Sequence, residues 1–372
     1  MLVGVPKEIK DHEYRVGLIP ATARELARRG HRVIVQASAG LGAGLPDEDY
    51  VQAGADIVST ADQVFQRAEL IVTVKEPLAE ERKKLKRGQV LFTYLHLAAD
   101  PKLAEDLLAT GVAAIAYETV TGEGRSLPLL TPMSEVAGRM SPQVGAHFLE
   151  KTTGGRGVLL GGVPGVPPAD VLILGSGVVG TNAALIALGM GANVTMASRH
   201  LDSLRRVSAE LGPRLRTVFS APQAIETLCR RADLVIGAAL VPGAKAPRLI
   251  SAETVKAMKQ GSVIVDVSID QGGVAETSRP TTHSHPTFVV DGVVHYGVTN
   301  MPGAVSRTST FALSSATSPF VLALAEKGLK AALAADHHLA AGLNIYDGKV
   351  THKAVAGALG LPYVPVEQAL KA

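Results

Sequence analysis

Apolar residues fall along this chain in two rhythms. Short uninterrupted runs at Val33-Ile34-Val35, Leu70 to Val74, Val90 to Tyr94 and Val112 to Ala116 have strand length. They do not alternate with polar residues, which fits strands covered on both faces in a parallel sheet. Between them, Ala21 to Arg29, Ala61 to Arg67 and Lys102 to Thr110 read as helices, so Met1 to about Leu130 predicts one α/β unit with crossover helices. A helix is expected from Ser134 to about Glu150, with Ser134 as its N-cap after Pro132, linking this unit to a second. The stretch Gly154 to Pro168, GGRGVLLGGVPGVPP, must be loop. Strand runs resume at Val171 to Leu174, Asn193 to Ala197, Leu234 to Gly237 and Val263 to Val267, and the second unit closes near Tyr296 to Val298. A helix, Phe311 to Ala335, and a short tail end the chain. The fold class is therefore α/β, with two Rossmann-like units and a doubly wound parallel sheet in the second.

The run VLILGSGVVG, Val171 to Gly180, changes this from a fold to a binding prediction. It joins a strand, a glycine-rich turn and a helix start. Gly175 suits the tight turn, Gly177 the approach of a pyrophosphate to bare backbone, and Gly180 close packing of helix on strand. The spacing alone is weak, but the strand before it and the helical run Val178 to Met190 after it predict a dinucleotide site. An NAD-binding strand of this kind ends in an acid that holds the ribose 2′-hydroxyl. Here Ser198-Arg199 stands in that place, so the choice of cofactor is open.

Composition narrows the partners. A net charge of +3 spread over 71 charged side chains is too small to argue for nucleic acid, and the N-terminus MLVGVPKEIK lacks a signal-peptide pattern. No apolar run is long enough to span a bilayer, so a cytoplasmic protein without a membrane partner is expected. The single cysteine, Cys229, excludes an intrachain disulfide and a cysteine-built metal site; packing is its expected role.

Ligands of open parallel sheets bind beyond the carboxyl ends of the strands. That rule selects four residues. Lys75 follows the strand ending in Val74 and can hold a carboxylate or polarise a carbonyl; a surface lysine is the equal alternative. His96 follows VLFTY and suits proton transfer near neutral pH, against a structural histidine. Asp270 follows VIVDVSI and precedes Gly272-Gly273, where an acid is more often only a turn former. Arg15 follows the first strand and offers a fork for a carboxylate, although alone it is another surface arginine. Together they provide a cation for a carboxylate, a polarising group and an acid/base. These are the needs of hydride transfer at the carbon of a small amino acid, for which a nicotinamide supplies the redox chemistry.

Long ordered blocks carry the argument further: VGVPKEIKDHEYRVGLIP, VKEP, FTYLHLAAD, AYETV, LPLLTPMSEVAGRM, GGRGVLLGGVPGV, LVPGAKAP, VIVDVSIDQGG, RPTTHSHP and VVHYGVTNMPGAVSRTST. Over nearly its whole length the chain resembles the alanine dehydrogenase and pyridine nucleotide transhydrogenase family, and alanine dehydrogenases in particular. The resemblance implies reversible deamination of L-alanine to pyruvate and ammonia with NAD(P), NAD being the family default, in a homohexamer. It implies that Arg15 and Lys75 hold the substrate, that His96 and Asp270 are catalytic, and that Tyr94, Asn300 and Met301 line the site. For the cofactor it points to Ser134, Val178, Val179, Ser220, Leu240, Val267, Arg279 and Val298, beside Gly175, Gly177 and Gly180. It also implies a discontinuous substrate domain, 1–133 with 307–372, a dinucleotide domain, 134–306, and catalysis in the cleft between them.

Two departures from the family pattern matter. Ser198 and Arg199 replace an acid and an aliphatic residue, which predicts use of NADP(H); an Arg199 directed to solvent is the alternative. Some relatives carry a helix histidine as metal partner to the acid at Glu118, but here the helix reads Ala325-Glu326-Lys327, so no metal is expected. The competing readings are the nucleotide-binding part of a transhydrogenase, which needs no small-substrate site, and a regulatory module without turnover.

Overall fold

The computed structural model describes residues 1–239 and 246–371. They form two compact units, Met1–Met133 with Gly303–Ala372, and Ser134–Pro302. The first begins with β1 (Leu2–Val5), β2 (Arg32–Gln36), β3 (Asp56–Val58), β4 (Leu70–Val72), β5 (Val90–Thr93) and β6 (Ala113–Ala116), all paired in parallel. The second holds β7 (Asp170–Leu174), β8 (Asn193–Ser198), β9 (Leu215–Phe219), β10 (Leu234–Gly237), β11 (Val263–Asp266), β12 (Thr287–Val290) and β13 (Val293–Tyr296). The chain then returns to the first unit with β14 (Leu343–Tyr346) and β15 (Lys349–Val350).

The strand orders are β15-β14-β6-β5-β4-β1-β2-β3 and β12-β13-β11-β10-β7-β8-β9 among the described residues. Each sheet winds outward in both directions from its first strand, so the order reverses beside β1 and beside β7. Such switch points leave a crevice where loops part to either side of the sheet. The central strands are buried along their whole length, as their unbroken apolar runs require. Each unit has its own core, with Leu91, Leu107 and Ile345 in the first and Leu172, Ile225 and Ile264 in the second. Cys229 is packed in the second core, where burial pushes its thiol up to about 12.

Three expectations need correction. The sheets are mixed, because β14 runs antiparallel to β6, β15 to β14, and β12 to β13. The end of the chain is thus not a bare tail; it adds an edge hairpin to the first sheet. The linking helix spans Thr131–Phe148 and starts three residues before Ser134, which is therefore not its N-cap. The Leu127 carbonyl accepts from the Thr131 amide at 2.9 Å and the Thr131 hydroxyl at 3.0 Å, so the turn is already set there, and Pro132 fits a first turn where no amide is needed. Pro142 inside this helix orphans the Gly138 carbonyl, but the Ser141 hydroxyl donates to it at 2.8 Å. No helix among the described residues is long and apolar enough to cross a membrane.

Candidate active site

In the first unit the sequence-selected residues gather at the switch point. Arg15 lies on the loop after β1, Lys75 after β4, and Tyr94 and His96 after β5. Arg15 is only 2% exposed, so it is no surface arginine. The Glu13 carboxylate accepts from its Nε and Nη2, both at 2.6 Å, and from its amide at 3.1 Å, while Nη1 faces Met133 Sδ at 3.1 Å. Burial opposes the charge on Arg15, but Glu13 outweighs it and holds the guanidinium protonated. A carboxylate that grips two edges of an arginine fixes the plane of its fork.

Glu8, also after β1, reaches across to the β4 loop, where Oε1 accepts from the amides of Val74 at 2.7 Å and Lys75 at 3.4 Å. Its carboxyl is enclosed enough that burial raises its pKa to about 8, although part of the residue surface remains open. The Lys75 carbonyl accepts from the Thr93 hydroxyl at 2.9 Å, tying this loop to β5, and the Tyr94 amide bonds the Val74 carbonyl at 3.2 Å. Lys75 and Lys10 hold the neighbouring Glu76 carboxyl below its ordinary value against the upward pull of burial.

Tyr94 is buried and donates its hydroxyl to the Leu129 carbonyl at 2.5 Å. Its ring lies parallel to that of His96, within 3° at 5.9 Å, and meets Tyr117 edge-on at 5.0 Å. His96 has an open side chain, and its backbone sits in the left-handed region at φ 51°, a conformation that persists in a non-glycine residue only when the surroundings enforce it. Glu118 enforces it: the carboxylate accepts from the His96 amide at 2.6 Å and the Leu95 amide at 3.2 Å, and lies 3.9 Å from His96 Nδ1. Glu8 and Glu13 are site acids that the sequence pattern does not single out, and Glu118, named there only by resemblance as a metal partner, acts here as a clamp on the His96 backbone.

The second unit builds its switch point from backbone. A Cβ on Gly175, at φ 122°, would stand 2.4 Å from the Ala238 carbonyl oxygen, and one on Gly180 would stand 2.0 Å from the Gly175 oxygen. Neither position admits a side chain. Around Gly177 a Cβ would meet nothing within 4 Å, so the helix Val178–Gly189 opens onto clear space at its N-terminus. A tight turn, an uncovered glycine and a free helix start fit the pyrophosphate of a dinucleotide. At the end of β8, Ser198 is buried and its Oγ accepts from the Ser176 hydroxyl at 2.8 Å and the His200 amide at 3.2 Å. Arg199 is exposed, and the Arg206 guanidinium donates to the Ser176 carbonyl at 3.3 Å.

Several of the remaining nucleotide candidates follow strands of the same sheet. Ser220 follows β9, its amide bonding the Ser198 carbonyl at 3.1 Å; Val267 follows β11; Val298 is buried after β13; Arg279 stacks over Phe288 at 4.2 Å. Val178 is exposed, Val179 and Ser134 are partly buried, and Leu240 lies outside the described residues. Asp270 is exposed on the turn after β11; Asn300, at φ 59°, and buried Met301 follow β13. Among the described residues no three His, Cys, Asp or Glu side chains cluster as a metal site.

With this arrangement established, comparison with known proteins decides its lineage. Residues 4–137 match the family model "Alanine dehydrogenase/PNT, N-terminal domain", and residues 141–353 match "Alanine dehydrogenase/PNT, C-terminal domain". The chain belongs to this family. The two matches adjoin within the helix Thr131–Phe148. A curated alanine dehydrogenase from Halomonas elongata is 59% identical, with 98% of each chain covered. A solved L-alanine dehydrogenase superposes with a TM-score of 0.94 at 53% identity, covering 97% of this chain and 99% of that one. A transhydrogenase from Sinorhizobium meliloti shares the architecture at a TM-score of 0.82 and 25% identity, over 95% of this chain and 100% of that one.

Proposed function

We propose that this chain is an amino-acid dehydrogenase that interconverts L-alanine with pyruvate and ammonia using NAD(P). The observation that carries the reading is the buried Arg15, held by Glu13 at the switch point that also bears Lys75 and His96. Hydride exchange between two nucleotides has no use for a built carboxylate site, so this feature favours a small 2-oxo acid over the transhydrogenase reading.

In this reading Arg15 binds the substrate carboxylate and Lys75 polarises the carbonyl oxygen, stabilising charge that develops there. Tyr94, Asn300 and Met301 line the substrate, and Tyr94 also backs the His96 ring. His96 and Asp270 carry the proton transfers that accompany addition of ammonia to the carbonyl and loss of water. Gly175, Gly177, Val178, Val179 and Gly180 hold the pyrophosphate; Ser134, Ser220, Leu240, Val267, Arg279 and Val298 surround the rest of the nucleotide. The nicotinamide, when bound, accepts or donates the hydride. The first unit, Met1–Met133 with Gly303–Ala372, is thus the substrate domain and the second, Ser134–Pro302, the dinucleotide domain, in a cytoplasmic homohexamer.

The chain uses NADP(H) well. The Ser198 hydroxyl is engaged by Ser176 and His200, so Ser198 acts mainly by removing the acid that would repel a 2′-phosphate, and exposed Arg199 supplies the cation. Steady-state oxidation of NADH and NADPH tests the whole reading. Turnover must require pyruvate and ammonia together, and kcat/KM for NADPH must equal or exceed that for NADH. Turnover without ammonia overturns the reaction; a clear NADH preference overturns the cofactor assignment alone.

A further inference from the structure

The turn that carries Asp270 is organised around a second carboxylate, Asp266, at the end of β11. Asp266 is 2% exposed, and the donors around it come from both limbs of the turn. Before Asp270, the Ser268 amide donates to Oδ1 at 3.2 Å. After it, the Val274 amide and the Ser278 hydroxyl donate to Oδ2 at 2.7 and 2.6 Å. The backbone has been drawn onto this carboxylate: a Cβ on Gly273, at φ 80°, would lie 2.6 Å from Oδ2, and one on Gly237 would lie 2.9 Å from Oδ1. The Ser268 hydroxyl extends the tie to the Ala239 carbonyl beyond β10, at 2.8 Å.

We propose that Asp266 is a positioning residue whose carboxylate closes the 268–278 turn and so sets where Asp270 stands for proton transfer. Burying a carboxylate is unfavourable unless donors replace water, and here they do so from both limbs of a turn whose backbone also closes on itself, the Gly273 amide donating to the Ser268 carbonyl at 3.0 Å. An asparagine of the same shape would keep the bond at Oδ1. Its amide nitrogen cannot accept from the Val274 amide, so that limb loses its side-chain anchor and is held by its backbone bonds alone. Misplacing a reacting group by about 1 Å can lower a rate by roughly 10²-fold.

The inference rests on the assignment of Asp270 above, and a double-mutant cycle separates the two. Asp266→Asn is expected to lower kcat at least about tenfold, with nucleotide Kd and the stoichiometry of nucleotide binding unchanged. Ser278→Ala, which removes only the hydroxyl, gives a smaller loss in the same direction. In an Asp270→Asn background the Asp266→Asn change costs little further, because both act through one group. If Asp270→Asn is slow and Asp266→Asn multiplies that loss, or if folded Asp266→Asn keeps full kcat, the positioning role is wrong. Full activity of Asp270→Asn removes the assignment of Asp270 and the inference with it.

Discussion

The two units follow one winding plan and furnish it in opposite ways. At the switch point beside β1 the first unit places side chains: Arg15 gripped by Glu13, the Lys75 loop anchored by Glu8, and His96 held in a left-handed conformation by Glu118. At the switch point beside β7 the second unit removes them, since Gly175 and Gly180 have no room for a Cβ and Gly177 has nothing before it. The contrast follows from what each would hold. A small carboxylate offers few atoms and is recognised by charge at fixed positions, whereas a pyrophosphate is met by backbone amides that must come close.

That division can be broken from either side. The largest effect is expected at His96, where replacement by Asn lowers kcat by roughly 10²–10⁴-fold and leaves nucleotide Kd unchanged; a folded His96→Asn enzyme at full speed removes its proton-transfer role. Arg15→Lys keeps the charge opposite Glu13 but loses the fork, so KM for pyruvate rises by about 10- to 100-fold, as for a lost charge-assisted hydrogen bond. Gly177→Ala meets no atom in the fold and weakens nucleotide binding by about 2- to 10-fold, on the scale of one hydrogen bond. Its Tm stays near wild type, whereas Gly180→Ala, with the Gly175 carbonyl in the way, destabilises the second unit; equal Tm values for the two variants contradict the packing account.

The smallest effect concerns Glu8. Its pKa is raised from 4.5 to about 8 in the folded chain, chiefly by burial. The stability associated with its proton is therefore fully present below pH 4.5 and is lost as pH rises through about 8. Glu8→Gln lacks this dependence, so its Tm relative to wild type should improve by a few °C, about 1 kcal/mol or more, between acidic and mildly alkaline pH. A difference independent of pH shows that the carboxyl is not protonated as described.

The sequence made legible what depends on local pattern. Buried strands read as unbroken apolar runs, and the glycine spacing marked the nucleotide turn because each glycine answers a local steric demand. Edge strands were hidden: Arg216 and Thr217 in β9 are exposed, so that strand has no continuous apolar run. Strands β14 and β15 lie more than 200 residues from β6 in the chain, and no local rule announces that the end returns there. Among site residues, Arg15, Lys75 and His96 could be selected by their place after strands. Glu13 and Asp266 could not, because an acid that clamps another residue looks like any surface acid until the fold buries it, and Glu118 stood out only by resemblance, as a metal partner and not as the clamp on His96.

The division of labour is tested most directly by titrating NAD(P)H into wild type, Arg15→Lys and Gly177→Ala and following nucleotide fluorescence. Arg15→Lys is expected to bind nucleotide as wild type does, and Gly177→Ala about 2- to 10-fold more weakly. Equal weakening in both variants, or weakening in Arg15→Lys alone, would contradict that division.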